Sequence, residues 1–382
     1  MEKPYMRIMF RILSAAVLAA GVLCAGGCAQ KGPIEGEYID MTDYDVPVTE
    51  AVEVPHGMDG TLAFGATDVL IVDSVLLIVR QFSDHFIHLV DLRSGETVAK
   101  LQHVGRGPGE AVNTFCAGVS GDGECFWAHD MQLGRINVYR MSDVLSGNCM
   151  PSRSLTFEDR FSQGHVMDVV MAEGRIYTAP EGITDDVSRF VVYDSTFNDP
   201  QGMGEWPALE GTSGLPGPAY SSVFEGSLAY IPEADRLAVA HHYEPLVSIY
   251  SMDGALLSNT WGPDGFMQEF SVNENNATQY GDVVMYGSMV VWEEEVRSLY
   301  STLRSHEGRL YALFTGDRMS AVPEDAAVEE PAAGSRIIVL DSNGVPLEEI
   351  RTGRVLMRFD IDPETRDIWG FDGDYNLYHY KY

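Results

Sequence analysis

The chain is poor in cysteine, in positive charge and in long apolar runs. Its 382 residues carry five cysteines and 25 basic residues against 57 acids, a net charge of −32. A field of that sign repels nucleic-acid phosphates and anionic headgroups, so a nucleic-acid partner is excluded first. Cysteines this few do not make a disulfide scaffold. One stretch is apolar enough to meet a membrane, and it lies at the N-terminus. What is abundant is apolar side chain, 45% against 21% charged, which excludes a disordered chain and allows a sizeable core.

The N-terminal stretch reads as an address. Lys3, Arg7 and Arg11 precede an apolar run from Ile12 to Ala25, too short for a comfortable span of roughly 20 residues. It ends in Ala25-Gly26-Gly27-Cys28, small residues leading into a cysteine as in a bacterial lipobox, with Ala25 where Leu is usual. The expectation is a signal segment over 1–27, lipidation at Cys28 and a flexible tether over 28–37. Removing 1–27 takes three basic residues and one acid, leaving 22 against 56 and a charge of −34. Lys31 is followed by Gly32-Pro33 rather than paired acids, so periplasmic and surface exposure both stay open. Cys116 and Cys125 flank a Gly121-Asp122-Gly123 turn, where they either pair across a hairpin or stay as buried thiols; Cys149 is left over.

Over 38–382 there is little 3.6-residue periodicity, but many short β-rich runs separated by Gly, Asp, Asn and Pro. An apolar strand ending in a polar turn recurs, with Val90, Val138, Val192, Ile249, Val339 and Tyr378 as markers spaced 48, 54, 57, 90 and 39 residues apart. Spacings of roughly 40–50 residues are those of propeller blades. The first unit shows four strands, 69–72, 76–80, 86–92 and 97–104, and the fourth shows 223–231, 236–242, 246–251 and 255–261. The predicted fold is all-β, a six-bladed β-propeller of four-stranded antiparallel blades. A β-sandwich is the alternative, disfavoured by the blade-length period. The last marker has no fourth strand after it, so 45–54 is expected to pair there and close the ring. The 90-residue gap is read as one blade, 298–304, 309–315, 335–341 and 347–351, carrying insertions at about 263–296 and 316–334. Trp292, Val296, Leu299, Tyr300 and Leu303 also fit one face of a short helix.

The chain resembles the six-bladed, TolB-like propeller lipoproteins of Bacteroides-type bacteria. The likeness rests on the lipobox at Cys28, on Gly105-Arg106-Gly107-Pro108-Gly109-Glu110 after the first unit, and on Leu310-Tyr311-Ala312-Leu313-Phe314. It implies the propeller fold and a lipid-anchored place in the cell envelope, at the outer membrane. It brings no catalytic residues and no cofactor.

Strand order places a candidate site. In a four-stranded meander, the loops between second and third strands share a face with the connections between blades, and the long loops fall there. Loops on a rigid scaffold are where binding residues gather. The candidate face carries Arg106 and Glu110, His129 and Asp130, His241 and His242, Arg318 in the late insertion, and Asp372. Arg106 either binds an anion or pairs with Glu110. Of two adjacent histidines only one can face the axis. No His-x-His or Cys-x-x-Cys spacing supports a metal site, Asp372-x-Asp374-x-Asn376 lacks the glycine and glutamate of a calcium loop, and no cofactor is expected. No Gly-x-Ser-x-Gly elbow appears. The functional expectation is a membrane-anchored binding protein whose loop-rich face meets an envelope protein or glycan; the alternative is a propeller hydrolase or lyase acting on envelope glycans or peptides.

Overall fold

The computed structural model describes residues 33–157, 165–181, 188–273, 277–280, 283–286, 290–292, 296–318 and 334–382. The chain divides into two units. The smaller joins Pro33–Gly36 to 208–213 through the Ile34–Leu209 bridge and the bonds Glu35 N–H to Ala208 O and Glu210 N–H to Pro33 O, both 2.8 Å. The larger, 37–207 with 214–382, is the propeller.

Six antiparallel sheets follow one another in the propeller. Blade 1 is Ala66–Val72, Val75–Arg80, His85–Asp91 and Thr97–His103; blade 2 is Thr114–Val119, Cys125–Asp130, Arg135–Arg140 and Arg153–Thr156. Blade 3 is His165–Ala172, Arg175–Glu181, Phe190–Tyr193 and Gln201–Met203; blade 4 is Gly226–Ile231, Arg236–His241, Leu246–Ser251 and Leu256–Trp261. Blade 5 is Arg297–His306, Arg309–Arg318, Arg336–Asp341 and Pro346–Arg351. Blade 6 is Arg358–Asp362, Asp367–Phe371 and Leu377–Lys381, with Val52–Glu53 antiparallel to the last of these as its fourth strand. The N-terminal and C-terminal strands of the ring therefore close it in one sheet, as the sequence leads one to expect.

Why these runs are so apolar follows from the layering. Each sheet is packed on both faces, and side chains alternate between them. Leu76 and Ile78 join the cluster shared with Trp369 and Phe371 of blade 6, whereas Leu77 and Val79 join the one shared with Phe126 and Ala128 of blade 2. Apolar clusters occupy the other seams in the same way: blades 2–3 around Ile136 and Ile176, 3–4 around Tyr177 and Val239, 4–5 around Ile249 and Leu310, 5–6 around Ile337 and Phe359. Each fully buried Leu, Ile or Val contributes roughly 1.5–3 kcal/mol.

Three details differ from the sequence reading. The segment 45–54 serves two blades, because Val48–Glu50 first runs parallel to Pro346–Arg351 before Val52–Glu53 reaches blade 6. Ile39–Asp40 adds a similar parallel strand to blade 4, so two blades have five strands. The helical face over Trp292–Leu303 is instead strand, Val290–Trp292 and Arg297–His306; Leu299, Tyr300 and Leu303 are buried by packing between blades 4 and 5, which overrides a helical spacing. Within 263–296 the described residues form two two-stranded sheets, Phe270–Val272 with Val290–Trp292 and Ala277–Tyr280 with Val283–Tyr286. Residues 319–333, the bulk of the second insertion, lie outside the described residues, as do Cys28 and the signal segment. Cys116 and Cys125 are both free: Cys116 sits opposite His129 and Cys125 opposite Arg140, so the hairpin register does not bring the thiols face to face.

Candidate functional site: the two mouths of the axis

The first strand of every blade lines the axis, and three of those strands carry the same pair, Asp68-Val69, Asp168-Val169 and Asp360-Ile361. In each, one carboxylate oxygen accepts the next residue's N–H at 2.8–2.9 Å. The other oxygen crosses the seam to the next blade. Ala117 N–H donates to Asp68 at 3.3 Å, Leu228 N–H to Asp168 at 2.8 Å, and Ile71 N–H to Asp360 at 2.6 Å. At the seam of blades 4 and 5 a hydroxyl does the same work, Leu303 N–H donating to Ser227 Oγ at 3.2 Å. Inner strands present main-chain groups toward the axis without ladder partners on that side, and these short polar side chains satisfy them.

Arg304 fills the waist of the channel. Its Nη2 donates to Asp68 at 2.5 Å and to the Val69 carbonyl at 3.1 Å, and its Nε donates to the Phe359 carbonyl at 3.0 Å. His306 Nε2 donates to Asp360 at 3.0 Å. Burial pushes the Asp360 carboxyl up, but the His306 and Arg304 charges with the Ile71 N–H outweigh it, so its pKa falls below the usual carboxylate value. Asp168 goes the other way: burial dominates, Asp68 adds repulsion, and its pKa is raised. Two carboxylates of similar sequence context thus hold opposite ionisation tendencies.

The waist separates two cavities. The larger, about 450 Å³, opens among the hairpins that join first and second strands; Trp127, Tyr230, Ser305, His306 and Glu307 line it. The smaller, about 200 Å³, opens on the loop-rich face and is lined by Cys116, Glu225, His242, Ser301, Thr302 and Arg358 among others. Asp168 and Arg304 line both.

The sequence-predicted residues do not gather at one point. His242 alone among them lines the loop-face cavity, its Nδ1 3.6 Å from Glu225 and its Nε2 buried without a partner. His241 points away, its Nδ1 donating to the Phe224 carbonyl at 3.0 Å and its Nε2 3.1 Å from Ser248 Oγ. Burial and the Arg189 charge hold that imidazole well below its ordinary pKa. His129 is buried within blade 2, its pKa lowered to about 4 by desolvation, and Asp130 beside it accepts N–H bonds from Val112, Asn113 and Leu133. Asp130 thus braces an inter-blade turn, while His129 is packed within the blade.

In the glycine-rich turn Glu110 folds back onto the Gly107 N–H at 2.7 Å, and a Cβ on Gly105 would lie 2.1 Å from that carboxylate. Arg106 is exposed and makes no ion pair among the described residues; Arg135, from the next blade, holds the turn's carbonyls at Gly107 and Glu110. Asp372 is occupied by its own turn, accepting from the Asp374 and Asn376 N–H groups and from the Tyr378 hydroxyl. The side chain of Arg318 lies outside the described residues. Among the described residues no three His, Cys, Asp or Glu side chains converge as metal ligands.

Sequence reasoning missed the axis itself. Asp68, Asp168, Arg304, Arg358 and Asp360 all sit on first strands, whereas the sequence pattern is sharpest at third-strand markers and second-strand ends. The repeated Asp-Val or Asp-Ile pair was the available signal.

No family model and no curated relative matches the chain. Among solved structures it is similar to a member of the DUF4221 family from Bacteroides vulgatus, at 11% identity over 86% of this chain and 96% of that one, with a TM-score of 0.53. It is also similar to a protein from Bacteroides fragilis regarded as exported, at 11% identity over 88% and 98%, with a TM-score of 0.49. At that identity the likeness to the first speaks for the fold, a propeller of the kind built here from the residues upward.

Proposed function

We propose that this protein is a lipid-anchored envelope binding protein of the TolB-like propeller type, and that the loop-rich face, centred on the axial mouth beside His242 and Arg358, holds a protein or glycan partner. The observation that carries the reading is the cavity there, whose lining residues His242, Ser301 and Thr302 each carry a buried polar atom without a partner among the described residues. A folded protein rarely leaves such groups unpaired unless something else completes them. The waist carboxylates are engaged by main-chain N–H groups and by Arg304, which argues for recognition rather than turnover at this mouth. Anchoring is supported by the small-residue run into Cys28.

The test uses the full lipidated chain. Retention of solubilised envelope proteins and glycans by the immobilised chain is compared between wild type and a variant combining Arg106→Gln and His242→Gln, while membrane pelleting of Cys28→Ala tests the anchor separately. Partner retention lost in the face variant supports the reading, and partner retention equal to wild type contradicts it. Cys28→Ala protein that stays with the membrane pellet contradicts the anchor.

A second reading is a hydrolase or lyase using the opposite mouth. It is favoured by one observation, the His306 imidazole 3.0 Å from Asp360 at the wall of the 450 Å³ cavity. Such a pair can hold a ring as a base. Turnover of envelope glycans or peptides that disappears in His306→Gln supports it.

A further inference from the structure

We infer that the loop-face mouth takes the carboxylate of an acidic sugar, a uronate ring seated against Arg358 and His242. The inference rests on the binding reading above and names its ligand class.

Arg358 is an arginine of the cavity lining whose donors are only partly used by the described residues. Its Nη1 donates to the main-chain carbonyls of Ser301 at 2.7 Å and Met357 at 3.1 Å, which fix the guanidinium at the seam of blades 5 and 6. Among the described residues it forms no ion pair, and Nε and Nη2 make no further hydrogen bond. A planar guanidinium held by one edge presents its other donors to a carboxylate. Three acids line the cavity and each has other partners; Glu225 lies 3.6 Å from His242 Nδ1. Asp68 is bound by Arg304 and by the Val69 and Ala117 N–H groups, and Asp168 by those of Val169 and Leu228.

Three more residues of the lining carry a buried polar atom without a partner among the described residues: His242 at Nε2, Ser301 at Oγ and Thr302 at Oγ1. Ser301 is 8% exposed and Thr302 2%, so ordinary surface solvent does not reach them. Hydroxyls both donate and accept, which is what sugar hydroxyls require on each side. At about 200 Å³ the cavity is below the roughly 300–1,000 Å³ of drug-sized pockets, so it accommodates one ring rather than a chain. Outside the cavity lining, the same face carries exposed aromatic rings. Phe82, in the loop between the second and third strands of blade 1, is 84% exposed and held at φ 57°, and Phe64 meets the Tyr375 ring at 5.7 Å. An exposed bulky residue in the left-handed region is strained, and such strain is retained at binding sites. Ring faces of this kind stack against the C–H face of a sugar.

The test is calorimetric titration of the full chain with D-galacturonate, D-galactose and N-acetylalanine. Galacturonate is expected to bind one to one, and galactose, which lacks only the carboxylate, at least about tenfold more weakly. Arg358→Gln should lose about tenfold or more. Because Arg358 also ties two blades together, His242→Gln is the second variant, with an expected loss of several-fold and an unchanged melting temperature. Equal binding of galactose overturns the carboxylate, N-acetylalanine binding as tightly as galacturonate overturns the sugar, and binding indifferent to His242→Gln overturns the site. Partner retention that persists without any uronate binding overturns this inference and leaves the broader reading standing.

Discussion

Asp360 in the last blade and Ile71 in the first are 289 residues apart in sequence, and the Ile71 N–H donates to the Asp360 carboxylate at 2.6 Å. The bond closes on the axis the seam that Val52–Glu53 closes from outside by pairing with Leu377–Lys381. Asp68 and Asp168 make the same bond across other seams, and Ser227 replaces the carboxylate with a hydroxyl. A propeller has no central core; its inner strands meet only through such groups and through the apolar seams behind them. The acids at the waist are therefore first of all structural.

Asp360→Ala should destabilise the ring by about 3–5 kcal/mol, because it strips Ile71 of its acceptor and leaves His306 and Arg304 short of a buried counter-charge. The folded pKa of Asp360 lies below its unfolded value, so its contribution is complete above about pH 4 and fades as pH falls through the lower folded value. Acid denaturation curves for wild type and variant should converge at the acid end. Parallel curves would assign the acid sensitivity elsewhere.

Glu244 is a second titrating device, outside the axis. It is 1% exposed, neither carboxylate oxygen has a partner, and burial raises its pKa to about 8. An acid raised in the folded state contributes its full stability below the unfolded value near 4.3 and loses it as pH climbs to about 8. Each pH step of one between those two values removes about 1.4 kcal/mol, so the melting temperature of wild type should fall across the window by the equivalent of roughly a few kcal/mol. Glu244→Gln should flatten the fall. A variant with the same slope as wild type would mean that water or a partner group already satisfies the carboxylate.

Gly118 lies under the Trp127 ring, and a Cβ there would sit 2.2 Å from Cζ2. Gly118→Ala should cost about 1–3 kcal/mol, since the indole is packed against blade 3 and must shift to admit the methyl group. It should also alter near-UV circular dichroism from Trp127. An unchanged melt would show that the first strand of blade 2 shifts freely, which the seams do not suggest.

The blades were legible because each strand is buried on both faces and bounded by turn residues. Leu76–Arg80 and Leu246–Ser251 read as short apolar runs, and Met252-Asp253-Gly254 marks the turn that follows the second of them. The split of 45–54 was not, since nothing in a two- or three-residue parallel strand distinguishes it from its neighbour. The helical spacing over 292–303 was real as spacing, but burial between two sheets decided the outcome. The site was legible only in part. Strand alternation says that one of His241 and His242 faces the axis, and His242 does. His129 and Asp130 looked equivalent to that pair by position, yet neither lines a cavity of the axis: His129 is packed within blade 2 and Asp130 braces a turn. Arg304 and Arg358 carried no local mark at all; a lone arginine on an inner strand becomes notable only once six strands converge on it.

Which mouth receives the partner is the point on which the account turns, and hydrogen–deuterium exchange of the full lipidated protein, with and without an envelope glycan fraction, reads it directly. Protection is expected in the segments of the loop-face mouth, 225–227, 301–302 and 357–358. Protection confined to the opposite hairpins, 120–123, 232–233 and 305–307, would contradict it and move the function to the His306 side.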